Sequence, residues 1–199
     1  MQCVEQCLER GHVVDVLIRT PAKLPAALRE RVTVIEGDGL DGDAVRRTLA
    51  EGAEAVLFAI GIDKHSPENL CADVTAHILA AMPDSQAKRF VFCGGGSTLV
   101  PQDTVTFGAR FVSFFASTFM GLRHRDKLHQ FALLESHREL EWCGVRPLQL
   151  RNGPLTREYR AGYHAFSGMS WLSFADCAHA MIEQLSEDRW LHEAPIVCY

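Results

Sequence analysis

Short apolar, β-branched runs alternate with stretches of helical period along the whole chain, and few folds accept that alternation. The runs are Val13–Arg19, Val32–Asp38, Ala55–Gly61, Arg89–Cys93, Trp142–Leu148 and Ala194–Cys198. Ala55–Gly61 is apolar throughout, as expected of a strand buried on both faces. Helical stretches separate the runs: Met1–His12 closing on Gly11, about Asp41–Glu51, Glu68–Ala81 stopped by Pro83, Asp126–Glu139, and a last helix to about Leu185. Asp41 or Asp43 suits the cap of the second helix, and Ser173 with Asp176 forms a capping box for the last. Strands alternating with helices build β-α-β units on a parallel sheet.

Length and composition bound the function. With 199 residues and no dividing linker, the expectation is one domain over 1–199. A net charge of −5 argues against a nucleic-acid partner. The seven cysteines (3, 7, 71, 93, 143, 177, 198) form no C-x-x-C and stand at no zinc spacing with histidine, so no metal site is expected. Most lie in apolar patterns, which suits a reducing, cytoplasmic compartment. Met1 opens an amphipathic helix rather than a signal peptide. The richest apolar stretch, Phe107–Gly121, contains Arg110 and is too short to span a bilayer, so no membrane partner is expected. Its phenylalanines at 107, 111, 114, 115 and 119 share one side of a helix. They read first as core or as the contact of a homodimer, and second as a flap over a substrate pocket. No G-x-S-x-G elbow or H-E-x-x-H occurs, so hydrolase chemistry has no support.

The opening residues place the chain within a dinucleotide-binding pattern. A helix ending on Gly11, followed by a strand ending in a basic residue, is the second half of the first β-α-β unit of such a fold. The first strand and its G-x-G-x-x-G turn belong ahead of Met1. The expected fold class is therefore α/β, a Rossmann-like doubly wound parallel sheet with the first strand missing from this chain. In the strand order 3-2-1-4-5 that strand is central, so its loss leaves a gap and removes a phosphate-binding loop.

Several motifs, in order, resemble the atypical short-chain dehydrogenase/reductase group, in particular NmrA-like and biliverdin-reductase-B (flavin reductase) type NAD(P)H-binding proteins. They are LERGHVVDVLIRTPAKLP, VTVIEGDGLDGDAV, AEAVLFAIG, RFVFCGGGST, HQFALLES and RPLQLRNGPLTREYRAGY. The resemblance implies an NADP(H)-binding oxidoreductase that transfers a hydride to a small-molecule electron acceptor such as a flavin or quinone. The alternatives are a dinucleotide-sensing regulator without turnover and a truncated chain with impaired cofactor binding.

The resemblance also assigns roles. Arg19 and Lys23 would meet the adenosine ribose. Two cations there, with no carboxylate, favour a 2′-phosphate and hence NADP(H). Asp38 and Gly39 would approach the adenine, or else form a plain Asp-Gly turn. Ala59, Ile60 and Gly61 end a strand where small residues let backbone pass close to the cofactor. Gly94–Gly96 would be the turn beside the nicotinamide, with the hydroxyl of Ser97 or Thr98 facing a substrate carbonyl. Lys127 stands at the lysine of the superfamily's Tyr-x-x-x-Lys pair, but Arg123 replaces the tyrosine. Lys127 could bond a ribose hydroxyl or simply be a solvated helix lysine. Asn152, with Arg151, would contact cofactor or substrate, or serve only the turn. No histidine follows the sixth strand, where flavin-reductase relatives carry one.

Overall fold

The structure is a computed structural model, described over residues 1–63, 65–119, 121–163 and 170–199, apart from the side chains at 109, 112, 116, 119 and 122. In chain order the elements are α1 (Gln2–Glu9), β1 (Asp15–Ile18), α2 (Ala26–Arg29), β2 (Thr33–Glu36), α3 (Gly42–Ala50), β3 (Ala55–Phe58), α4 (Leu70–Ala81), β4 (Arg89–Cys93), α5 (Phe107–Phe119), α6 (Gly121–Glu135), β5 (Glu141–Pro147), β6 (Leu150–Arg151), β7 (Arg160–Gly162), β8 (Leu172–Ser173), α7 (Phe174–Glu183) and β9 (Ile196–Cys198).

Local chemistry sets the boundaries. Gly11, at φ +82°, takes the left-handed conformation that turns the chain from α1 toward β1. Asp41 caps α3 by accepting from the Asp43 amide, and Ser173 caps α7 by accepting from the Asp176 amide at 2.8 Å. The start of α4 is capped from elsewhere in the chain. The buried Asp126 carboxylate on α6 accepts from the amides of Cys71 and Ala72, both at 2.9 Å. That bond locks α6 against α4, and α6 begins five residues ahead of the Asp126 start read from the sequence.

The strands form a doubly wound, mainly parallel arrangement. β3, β4, β5, β9 and β7 make one sheet in that order, with β3, β4, β5 and β9 parallel and the edge strand β7 antiparallel to β9. β1 and β2 pair in parallel as a separate ribbon, and β6 pairs with β8. Alternation along β4 shows both faces covered. Phe90 and Phe92 join the cluster with α3, α4 and α6, while Val91 and Cys93 join the cluster with α7. β3 splits in the same way, with Val56 and Phe58 on the first side and Leu57 on the second. Leu17 of β1 packs against the first cluster, as Val56 does, so the β1–β2 ribbon lies on the same helix layer as β3. Among the described residues, no strand lies between β1 and β3, which is the gap expected from the sequence.

The phenylalanine reading changes on α5. Phe107 is 93% exposed, Phe111 68% and Phe114 66%, so this face is not core. α5 packs on α6, and these rings stand toward solvent. No helix among the described residues is long and apolar enough to cross a membrane.

Candidate functional site at the strand ends

The carboxyl ends of β1, β2, β3 and β4 gather most of the residues singled out above. Arg19 follows β1 and is exposed. Its guanidinium lies 3.8 Å from the Asp38 carboxylate, which follows β2. This corrects the expectation of a corner without a carboxylate: Arg19 and Lys23 share it with Asp38. Lys23 is exposed at the end of a single 3-10 turn, Pro21–Lys23.

Asp38 also accepts from the Leu40 amide at 3.0 Å, forming the Asp-Gly turn that was the plainer reading. Gly39 is there for space, since a Cβ would come within 2.8 Å of Val74 Cγ1 on α4. Its carbonyl accepts from His77 Nδ1 at 3.1 Å, which fixes that nitrogen as the protonated one. Ala59, Ile60 and Gly61 follow β3 and are exposed, and a Cβ on Gly61 would meet open space.

α1 aims its free end at the same region. Cys3, in its first turn, packs against the same buried cluster as Leu57 and Cys93, the last residue of β4. Among the described residues no side chain caps the start of α1. A dinucleotide therefore fits the residues present: Arg19 and Lys23 for a phosphate, open backbone at 59–61, and a helix N-terminus for a pyrophosphate.

Lys127 behaves differently from a solvated helix lysine. Its Nζ donates to the Cys93 carbonyl at 2.9 Å and to Gln130 Oε1 at 3.2 Å, and it lies 5.8 Å from the Phe58 ring centroid. It therefore pins α6 to the end of β4, directly before the Gly94–Gly96 turn. Gly96 packs against the end of β5, where a Cβ would come within 2.9 Å of the Leu148 backbone. Ser97 is half-buried beyond this turn. Thr98 is 2% exposed, and its Oγ1 has no hydrogen-bond partner. A hydroxyl so buried normally has a partner, so Thr98 is the stronger member of the pair for a ligand oxygen.

Two features escaped the sequence reading. His124 sits three residues before Lys127 on α6, with a buried Nδ1 that has no partner, and burial lowers its pKa so that the imidazole is neutral at pH 7. Nothing in its spacing marks it. The second concerns the tyrosines, of which the chain has three. Tyr159 Oη bonds His179 Nδ1 at 2.8 Å, Tyr163 Oη accepts from the Ala194 amide at 3.0 Å, and Tyr199 Oη donates to Asp176 at 2.5 Å. Burial pushes the Tyr159 phenol up to about 12 and raises that of Tyr163 as well. None of them takes the position that Arg123 occupies. Asn152 is exposed after β6, and Arg151 lies over the Trp171 ring at 5.5 Å with a bond to Gln149 at 2.8 Å, so Arg151 is engaged within its own turn. Among the described residues no group of acidic, histidine or cysteine side chains is arranged to hold a metal ion.

Strand order and strand-end chemistry define a dinucleotide-binding α/β protein. A family model for NAD(P)H-binding proteins matches residues 1–188, and the chain belongs to that NAD(P)H-binding family. This agrees with the short-chain dehydrogenase/reductase resemblance of the motifs. Solved structures share the fold. A protein of Lactobacillus casei superposes with a TM-score of 0.83 at 21% identity, over 99% of this chain and 92% of its own. A candidate NADH-flavin reductase of Streptococcus pneumoniae gives 0.77 at 21%, over 99% and 92%. A wide-type short-chain dehydrogenase/reductase of Veillonella parvula, in complex with NADP, gives 0.77 at 14%, over 100% and 88%.

Proposed function

We propose that this chain is an NADPH-dependent reductase whose acceptor is a flavin, a quinone or a similarly conjugated small molecule. The observation that carries the reading is the engagement of all three tyrosines in hydrogen bonds elsewhere, in a protein of an NAD(P)H-binding family. Reduction of an isolated carbonyl calls for a positioned acid, whereas a conjugated acceptor takes a hydride without one. The cofactor, when bound, supplies the hydride. The chain's part is to hold it: Arg19 and Lys23 at the 2′-phosphate, Asp38 and Gly39 near the adenine, Ala59, Ile60 and Gly61 along the ribose, and Asn152 beyond β6. Lys127 keeps the end of β4 in place, and Ser97 or Thr98 presents a hydroxyl to the acceptor. Cysteines that are all thiols support a reducing, cytoplasmic setting.

Titration with NADPH and NADH, followed by riboflavin, FMN or a soluble quinone, tests the reading. Acceptor-dependent loss of nicotinamide absorbance is the expected result. Removing the cation with Arg19→Glu should weaken NADPH about tenfold or more, roughly 1.4 kcal/mol, and leave NADH nearly unchanged. Binding without turnover for every acceptor would instead support a dinucleotide-sensing regulator. No binding of either dinucleotide would refute both.

A further inference from the structure

Three thiols from distant parts of the chain meet behind the end of β4. Cys3 comes from the first turn of α1, Cys93 ends β4, and Cys177 lies in the first half of α7. Cys93 Sγ and Cys177 Sγ stand 3.9 Å apart, across 84 residues of sequence, in thiol hydrogen-bond contact. Cys93 and Cys3 are half-buried residues, while Cys177 is buried. The proposed cofactor contacts use none of these sulfurs.

We propose that Cys93 and Cys177 are a redox-active pair that closes to a reversible disulfide under peroxide, with Cys93 as the thiol that reacts first. Chemistry and position agree on that order. The hydrogen bond from Cys177 lowers the Cys93 pKa, and the Lys127 cation lowers it further against the opposing effect of burial. The thiolate is the nucleophile, so the thiol whose anion is stabilised reacts first. Cys177 has its own pKa raised by the same hydrogen bond and by burial, and so waits as the resolving thiol. Cys3 is a poor competitor, since burial pushes it up to about 11. Cys71 and Cys143 are also buried and pushed up to about 11, and they serve as internal controls.

The Cys93 thiolate attacks hydrogen peroxide, breaking the O–O bond to give a sulfenic acid and hydroxide. The Cys177 sulfur then attacks the sulfenic sulfur, its proton leaving with the displaced oxygen as water. Two thiols are oxidised to one disulfide, and one peroxide is reduced to two waters. A dithiol reductant such as dithiothreitol reverses the bond by thiol–disulfide exchange. Bonding distance is about 2.05 Å, so the sulfurs must approach by roughly 1.9 Å, within reach of side-chain rotation on two elements already packed together.

Trypsin separates the two residues, because Cys93 falls between Arg89 and Arg110 and Cys177 between Arg160 and Arg189. The reduced protein is treated with a small excess of hydrogen peroxide, alkylated, digested without reductant and mapped by mass spectrometry. The expected result is a cross-linked Cys93–Cys177 peptide pair, lighter by two hydrogens than its separate parts and abolished by dithiothreitol. Cys71 and Cys143 should be alkylated as before. In Cys177→Ser, Cys93 should accumulate as a sulfenic acid captured by dimedone, and in Cys93→Ser the peroxide reaction should be lost. Far-UV circular dichroism confirms that each variant is folded, and the wild-type map alone decides if one is not. A folded wild-type protein whose Cys93 stays alkylatable after peroxide, or which instead links Cys3 to Cys93, overturns the proposal.

Discussion

The gap between β1 and β3 makes a quantitative prediction. Each of these strands is four residues long and has only one ladder partner. The three apolar residues of β1, Val16 to Ile18, and three of the four in β3 are only half-buried. Consider an added segment of about ten residues ahead of Met1, its first half apolar and β-branched and its second half rich in glycine. Such a strand would pair with both open edges in parallel, giving about six backbone hydrogen bonds at about 1 kcal/mol each net. About four newly buried apolar side chains add roughly 2 kcal/mol each. Covering the half-exposed faces of β1 and β3 adds roughly 3 kcal/mol, from about 120 Å² at 25 cal/mol/Å². Ordering ten residues costs about 14 kcal/mol. The net gain is about 3 kcal/mol, or a rise in Tm of roughly 6–12 °C for a chain of this length. Differential scanning calorimetry measures it, with an extension of equal length carrying prolines at the strand positions as control. Hydrogen exchange should slow at amides of β1 and β3 and not in α7. If the apolar and proline-bearing extensions melt at the same temperature, the gap is not a strand site and the sheet order argued here fails.

Other perturbations read out individual contacts. Lys127→Met removes a charged hydrogen bond to the Cys93 carbonyl and should lower stability by about 2 kcal/mol in chemical denaturation, where a merely solvated lysine would change it by less than about 0.5 kcal/mol. Asp103→Ala leaves the buried Arg146 guanidinium without the carboxylate that lies 2.6 Å from it, and should cost about 3–5 kcal/mol. The Asp176 carboxyl is held below its ordinary value by bonds from Tyr199, Thr156 and Arg157, which outweigh desolvation. Its stabilisation is therefore fully present above the unfolded pKa of about 3.9 and is lost as pH falls through the lowered folded value. An Asp176→Asn variant should show a smaller loss of stability over that acid range than the wild type. Phe111→Ser with Phe114→Ser should shift Tm by less than about 2 °C, because the exposed rings bury little.

Much of the architecture could be read from residues alone. β-branched runs and their caps place β1 to β5 and the main helices to within a few residues, because both signals are local. The gap was legible for the same reason, since α1 and β1 have an unmistakable order. What escaped the reading depends on distant partners. α6 starts early because its Asp126 caps α4, an interaction across 55 residues that no window reports. β6, β7 and β8 are two or three residues long and exist only through their neighbours. The phenylalanines of α5 have the period of a buried face, yet periodicity tells which side chains share a face and not what, if anything, lies against it. At the site, the Arg19 corner was legible as a basic strand end, while the approach of Asp38 required the two strand tips to be side by side.

The lysine on α6 shows how a familiar pattern can hold a different chemistry. In a Tyr-x-x-x-Lys pair the cation acts on a phenol one turn away, lowering its pKa so that it relays a proton. Here Arg123 stands one turn earlier, so the cation has no phenol to act on. The ammonium instead holds the Cys93 carbonyl, and its field falls on the Cys93 sulfur. One positive charge thus has two consequences that a single variant separates. Lys127→Gln keeps a hydrogen-bond donor at the β4 end and removes the charge. It should retain most of the stability lost in Lys127→Met but slow the reaction of Cys93 with peroxide severalfold at pH 7, measured by dimedone capture in the Cys177→Ser background. Equal peroxide reactivity with and without the charge would show that the Lys127 cation does not activate Cys93.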